Sequence, residues 1–207
     1  DAETEAGRQV AVPGTSEHQL GLAVDIVDLD HQLLDESQEQ TAVQQWLMTN
    51  SWRYGFILRY PTAKTETTGI IYEPWHYRYV GQPHAAYMQE NNVCLEEYLT
   101  LLKNYSADVP LSITNWDGEI YQVYYVAADT AADSTYVMVP PDKKYTISGN
   151  NSDGFIVTVD TGEIQSGEAA ASEASGAADN HAADSAADST ADVSGETAPD
   201  AEADAAQ

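Results

Sequence analysis

Ser16-Glu17-His18-Gln19-Leu20-Gly21-Leu22-Ala23-Val24-Asp25, taken with Glu73-Pro74-Trp75-His76, holds most of the chemistry of this chain. The two stretches supply two imidazoles, a carboxylate seven positions after the first imidazole, and a second carboxylate three positions before the second. Three protein ligands, an open position for water and a general base beside it are the components of a catalytic zinc centre. A spacing of seven is not that of a helical ligand pair. His18 is therefore expected in a loop, with Asp25 in the apolar strand Leu22–Val27 that follows. Gly21 and Ala23 are small and permit close backbone approach. A carboxylate in an apolar strand needs a partner, because burying it unpaired is costly. Pro74 fits poorly inside a helix or strand, so the second stretch reads as a strand end turning. His76 is then the third ligand, and Glu73 the group that takes a proton from water and passes it to a leaving amine.

Taken singly, each residue has an ordinary structural reading. His18 can be a satisfied loop histidine, Asp25 a turn or cap residue, and Glu73 with His76 a surface ion pair. Only their joint occurrence beside apolar strands raises the metal site as a competitor. His31, His84 and His181 lack such neighbours and are read as structural, as is the single cysteine, Cys94.

Composition narrows the partners. The chain has 207 residues, 34 acidic against 8 basic, and a net charge of -26. Nucleic acid is excluded as an expected partner, because phosphate binding needs clustered Lys and Arg. One cysteine permits neither an internal disulfide nor a Cys-rich zinc site. No apolar run is long enough to span a bilayer, and no signal peptide is visible.

Patterning divides the chain into three segments, 1–106, 107–163 and 164–207. In the first, strands are expected at Leu22–Val27, Tyr54–Tyr60 and Gly69–Glu73. Helices are expected over Ser37–Asn50, with Val43, Trp46 and Leu47 on one face, and over Pro83–Glu90 and Leu95–Lys103. Thr62–Thr68 reads as a polar loop. The second segment reads as a small antiparallel β module with strands at Ile120–Val126, Tyr136–Val139, Tyr145–Ser148 and Phe155–Val159. Asp117-Gly118, Pro140-Pro141-Asp142 and Asn150–Gly154 form the turns between them. So small a module is marginal alone and is expected to pack on the first segment. The third segment is Ala, Asp, Ser, Glu and Gly, with ten acidic residues after Ile164 and no Lys or Arg. It holds too few large apolar residues for a core and is expected to be a disordered acidic tail.

The order of motifs resembles a known family. Pro13 to Ile26, then Tyr54-Gly55-Phe56 through Tyr60, Thr68-Gly69-Ile70, and Tyr72-Glu73-Pro74-Trp75-His76-Tyr77-Arg78-Tyr79-Val80-Gly81 look like the signatures of the VanY-type D-alanyl-D-alanine carboxypeptidases. The likeness runs from about residue 8 to residue 105. It implies an α+β fold of the Hedgehog/DD-peptidase type, a small antiparallel sheet flanked by helices. It implies Zn2+ held by His18, Asp25 and His76, with Glu73 as catalytic base. It further implies that Ser16 and Tyr60 face the substrate, while Trp75 and Arg78 shape the pocket wall or pack behind it. The implied substrate is the stem peptide of bacterial peptidoglycan, losing a terminal D-alanine from a D-Ala-D-Ala or L,D-type end, and so the implied location is outside the cytoplasm. The family carries a helix and a strand before its first signature, and this chain is expected to be truncated at that point. Two other activities stay open, a zinc endopeptidase and a non-catalytic wall-binding module. Retention of Glu73 argues against pure binding, which needs no base.

Overall fold

The computed structural model describes residues 14–165. The chain divides into a compact unit of residues 1–170 and a second of 171–207. The expectation of a disordered tail, and that of a truncated start, fall outside the described residues. Among the described residues, no helix is long and apolar enough to cross a membrane.

Two antiparallel sheets, three helices of two or more turns and several shorter helical turns make up the described fold. The first sheet has β1 (Ala23–Asp25), β2 (Phe56–Leu58) and β3 (His76–Tyr79) in the order β1-β3-β2. Between β1 and β2 lies α1 (Ala42–Asn50). After β3 come α2 (His84–Asn91) and α3 (Leu95–Leu102). The second sheet contains β4 (Leu111–Thr114), β5 (Glu119–Ala127), β6 (Tyr145–Gly149) and β7 (Gly154–Ile164), ordered β4-β5-β7-β6.

One apolar cluster joins the two sheets. Ile57 of β2, Met88 of α2 and Tyr98 and Leu102 of α3 pack with Leu111, Ile113, Val123 and Ile156 of the second sheet. His84 adds a polar tie: its ring meets the Tyr98 hydroxyl at 2.7 Å and the Thr158 hydroxyl at 3.0 Å. Burial holds that ring neutral, with its pKa lowered to about 4. Cys94 is buried and sits just before α3, where its N–H donates to Glu97.

The long connection between β1 and α1 is held by buried amides rather than by apolar packing. Gln38 and Gln44 are fully buried. Gln38 donates to the carbonyls of His31 and Leu33 and accepts from the Asp28 N–H. Gln44 donates to the Ile26 carbonyl and accepts from the Tyr77 hydroxyl. An irregular segment leaves backbone groups without ladder partners, and these two side chains satisfy them.

Several expected elements differ. The helix over Ser37–Asn50 is a 3-10 stretch at Glu36–Gln40 followed by α1, because the Thr41 side chain caps the Gln44 N–H and starts the helix there. Its buried residue is Gln44, whereas Val43 and Trp46 are exposed. Thr62–Thr68 is not a loop but a 3-10 turn, Thr62–Lys64, running into one helical turn, Thr65–Thr68, stopped by Gly69. Gly69–Glu73 is not a strand; the third strand begins only at His76. Tyr136–Val139 does not pair either: Val137 and Val139 pack on Tyr124, Val157 and Val159 without joining the ladder. Pro140 and Pro141, which follow, have no N–H to offer a partner strand.

Candidate active site

Strand register creates the first contact of the site. In the β1–β3 pair Asp25 lies directly opposite His76, and Ala23 opposite Arg78. Directly opposed residues of an antiparallel pair share a face, so the Asp25 carboxylate and the His76 ring meet, with Oδ1 3.0 Å from Nδ1. His18 arrives from the 3-10 turn Glu17–Leu20, which Gly21 ends in a left-handed conformation at φ 68°. Its Nε2 lies 3.4 Å from the same Asp25 oxygen, and the two imidazoles stand edge to face with centroids 4.8 Å apart. One donor atom from each of His18, Asp25 and His76 falls within 4.8 Å of the others.

Glu73 is placed by a tight turn. Its carbonyl accepts the His76 N–H at 3.1 Å, spanning Pro74 and Trp75, and its own N–H donates to the Tyr60 carbonyl at 3.2 Å. Proline at the second position suits such a turn because its ring presets φ. The carboxylate Oε2 ends 3.6 Å from His76 Nδ1, on the side where the three donors converge.

The electrostatics fit a cation. Burial pushes the Glu73 carboxyl up to about 7, with Asp25 adding to the rise and His76 opposing it. For His76, burial favours the neutral ring, but the hydrogen bond to Asp25 and the nearby Glu17, Asp25 and Glu73 carboxylates outweigh it and raise the pKa to about 9. A proton on His76 thus occupies the position a metal would take between Nδ1 and Asp25. Two imidazoles and a carboxylate are donors zinc accepts. The side chains of His18 and Asp25 are 41% and 31% exposed, which leaves the fourth direction open to solvent. The donor set therefore suits a catalytic ion rather than a closed structural one.

Of the other expected site residues, Tyr60 touches this centre, and Ser16, Trp75 and Arg78 lie close to its members along the chain. Tyr60 packs on His76 with ring centroids 4.9 Å apart and planes tilted by 43°, and the Arg59 guanidinium lies 4.7 Å from the tyrosine ring centroid. Burial pushes the Tyr60 hydroxyl up to about 12, so it stays protonated. Ser16 stands immediately before the 3-10 turn, and its side chain makes no capping bond. Trp75 lies in the turn between Glu73 and His76, where its carbonyl accepts the Ile26 N–H at 2.9 Å. Arg78 follows His76 by two positions and shares its face of β3, but its guanidinium is held on Glu17 at 2.7 Å.

Two residues here had no role in the sequence reading. Arg59 is 7% exposed and donates to Glu17 and, through two nitrogens, to Glu96. Glu17 sits between Arg59, Arg78 and His76. Spacing gave no signal for either, although an Arg inside an otherwise apolar strand was a visible anomaly.

Comparison with known proteins yields consistent likenesses. A family described as "VanY: D-alanyl-D-alanine carboxypeptidase" matches residues 1–82. The chain is 45% identical over 156 residues to a D-alanyl-D-alanine carboxypeptidase of Enterococcus faecium, covering 75% of this chain and 48% of that protein. It is 55% identical over 103 residues to one of Enterococcus faecalis (strain ATCC 700802 / V583), covering 49% of this chain and 36% of that protein. Among solved structures it is similar to the vancomycin resistance D,D-dipeptidase VanXYg in complex with a D-Ala-D-Ala phosphinate analog. Identity there is 36%, coverage 76% of this chain and 67% of that one, and the TM-score 0.64. The chain spans about half the length of the first of these curated relatives and about a third of the second.

Proposed function

This chain belongs to the VanY-type D-alanyl-D-alanine carboxypeptidase family, and from that premise we propose that it is a zinc carboxypeptidase removing the terminal D-alanine from peptidoglycan stem peptides. The observation that carries the reading is the convergence of His18, Asp25 and His76 with the Glu73 carboxylate beside them. Zinc held there supplies a Lewis acid that polarises a carbonyl and acidifies water. Glu73 takes a proton from the attacking water and delivers it to the amine nitrogen of the departing D-alanine. His18, Asp25 and His76 would hold the ion. Tyr60 packs on His76 and fixes the ring. Ser16 and Tyr60 line the substrate side, Trp75 forms the adjoining wall, and Arg78 stiffens it through Glu17.

Residues 107–163 act as a brace for the catalytic part. Their apolar residues share one cluster with α2 and α3, and His84 ties α2 to β7. The substrate places the site of action outside the cytoplasm.

The test is mass spectrometry of muropeptides with pentapeptide and tetrapeptide stems, incubated with the zinc-loaded protein and with a chelated control. Zinc-dependent loss of one terminal alanine is expected, and the stem that shortens sets D,D or L,D preference. Internal cleavage of the stem would replace this reading with an endopeptidase. Binding of stems without cleavage by the zinc-loaded protein would replace it with a wall-binding module.

A further inference from the structure

Two buried polar atoms near the site lack a hydrogen-bond partner, His76 Nε2 and Glu17 Oε2. They lie 3.6 Å apart. That is too long for a hydrogen bond, yet buried groups of this kind are rarely left unpaired. The other atoms of both side chains are committed. Nδ1 of His76 faces Asp25 at 3.0 Å. Oε1 of Glu17 receives Arg59 Nε at 2.9 Å and an Arg78 guanidinium nitrogen at 2.7 Å.

An imidazole that gives Nδ1 to a metal carries its proton on Nε2. Such a proton needs an acceptor, and histidine ligands are regularly oriented by a carboxylate on the far nitrogen. We propose that Glu17 is a positioning residue, its Oε2 accepting the Nε2–H of His76 and so holding the ring with Nδ1 toward the cation. The inference rests on the metal reading above. Arg59 and Arg78 keep the Glu17 carboxylate in place through its other oxygen. Glu17 faces the opposite edge of the ring from Asp25, so it orients a ligand and is not one. A closure of about 0.7 Å on metal uptake brings the pair to ordinary hydrogen-bond length.

The probe is zinc alone, titrated against a chromophoric chelator with the full chain and with Glu17→Gln and Glu17→Asp. Both variants are expected to lose roughly 10–100-fold in zinc affinity. Gln is a weaker acceptor, and Asp keeps the charge but withdraws the oxygen. If Glu17 only neutralises Arg59 and Arg78, the Asp variant binds zinc within about threefold of the parent, and the proposal falls. A second measurement needs no variant. Nitrogen-15 imidazole NMR of the zinc-loaded parent is expected to show His76 protonated at Nε2, with slow solvent exchange of that proton. A proton on Nδ1 would overturn the proposal. A parent that binds no zinc would overturn the metal reading itself, and this inference with it.

Discussion

Replacing Glu73 by Gln separates the base from the ligands. The side chain is nearly buried, and the change keeps its size while removing its ability to take a proton. A positioned general base is worth roughly 10²–10⁴ in rate, or about 3–5 kcal/mol of barrier. That loss is expected in kcat for release of terminal alanine. Zinc binding is expected to survive. Glu73 lies outside the three residues whose donors converge, with its nearer oxygen 3.6 Å from His76 Nδ1. The variant thus loses a neighbouring charge and no coordinate bond. Against a divalent ion such a charge is worth roughly 2 kcal/mol even at the dielectric of water, a loss of affinity of about thirtyfold. The metal-free protein should not be destabilised, since the carboxylate is costly to bury in its charged form. Zinc affinity by chelator competition and turnover by mass spectrometry are to be measured on the same preparation. Affinity falling in step with turnover would make Glu73 a ligand. Turnover falling less than tenfold would mean that another group is the base.

Three further outcomes follow from the geometry. Arg59→Met leaves Glu17 buried beside His76 without its main counter-charge; breaking a buried pair costs roughly 3–5 kcal/mol, and partial exposure of Glu96 argues for the lower end. A melting temperature lowered by about 6–12 °C is expected, and an unchanged melt would show the Arg59 network to be dispensable. In Gly55→Ala the new Cβ would lie 2.8 Å from Tyr79 Cε2 and 2.9 Å from Gly81 Cα, at a backbone φ of +82°. A loss of roughly 1–3 kcal/mol is expected, read by chemical denaturation; stability within 0.5 kcal/mol of the parent, about the error of the method, would contradict that packing. The last concerns pH. His76 is raised from 6.5 to about 9 and Glu73 from 4.5 to about 7 in the metal-free protein. The stability each contributes is complete below its unfolded value and is lost as pH rises through its folded one. The chelated protein should therefore lose melting temperature between about pH 5 and 9, while zinc, which replaces the His76 proton, should bind more tightly over the upper part of that range. Calorimetry with and without zinc checks this; a zinc-induced shift that shrinks from pH 6.5 to 9 would contradict it.

The candidate metal group of His18, Asp25 and His76 was legible because each motif is local. His18 and Asp25 share one turn-and-strand unit, and Glu73 and His76 share one four-residue turn, so spacing alone put each pair within reach. The strand at Gly69–Glu73 was misread because a short apolar run has no period to distinguish a strand from an irregular segment. The helix over Ser37–Asn50 was misplaced because its apolar residues line a surface groove with Tyr54 and Phe56 while Gln44 is buried. A glutamine carries no core signal until its backbone partners are known.

By itself the sequence determined the chemistry on offer, two imidazoles and two carboxylates at spacings a turn can bridge, together with an acidic charge that disfavours nucleic acid. Only the tertiary structure decided that Asp25 faces His76 across β1 and β3, that Arg59 and Arg78 converge on Glu17, and that one apolar cluster joins both sheets. These are pairings between residues far apart in the chain. Register, burial and the partner of a buried charge are set by which strands meet, and no local spacing encodes that.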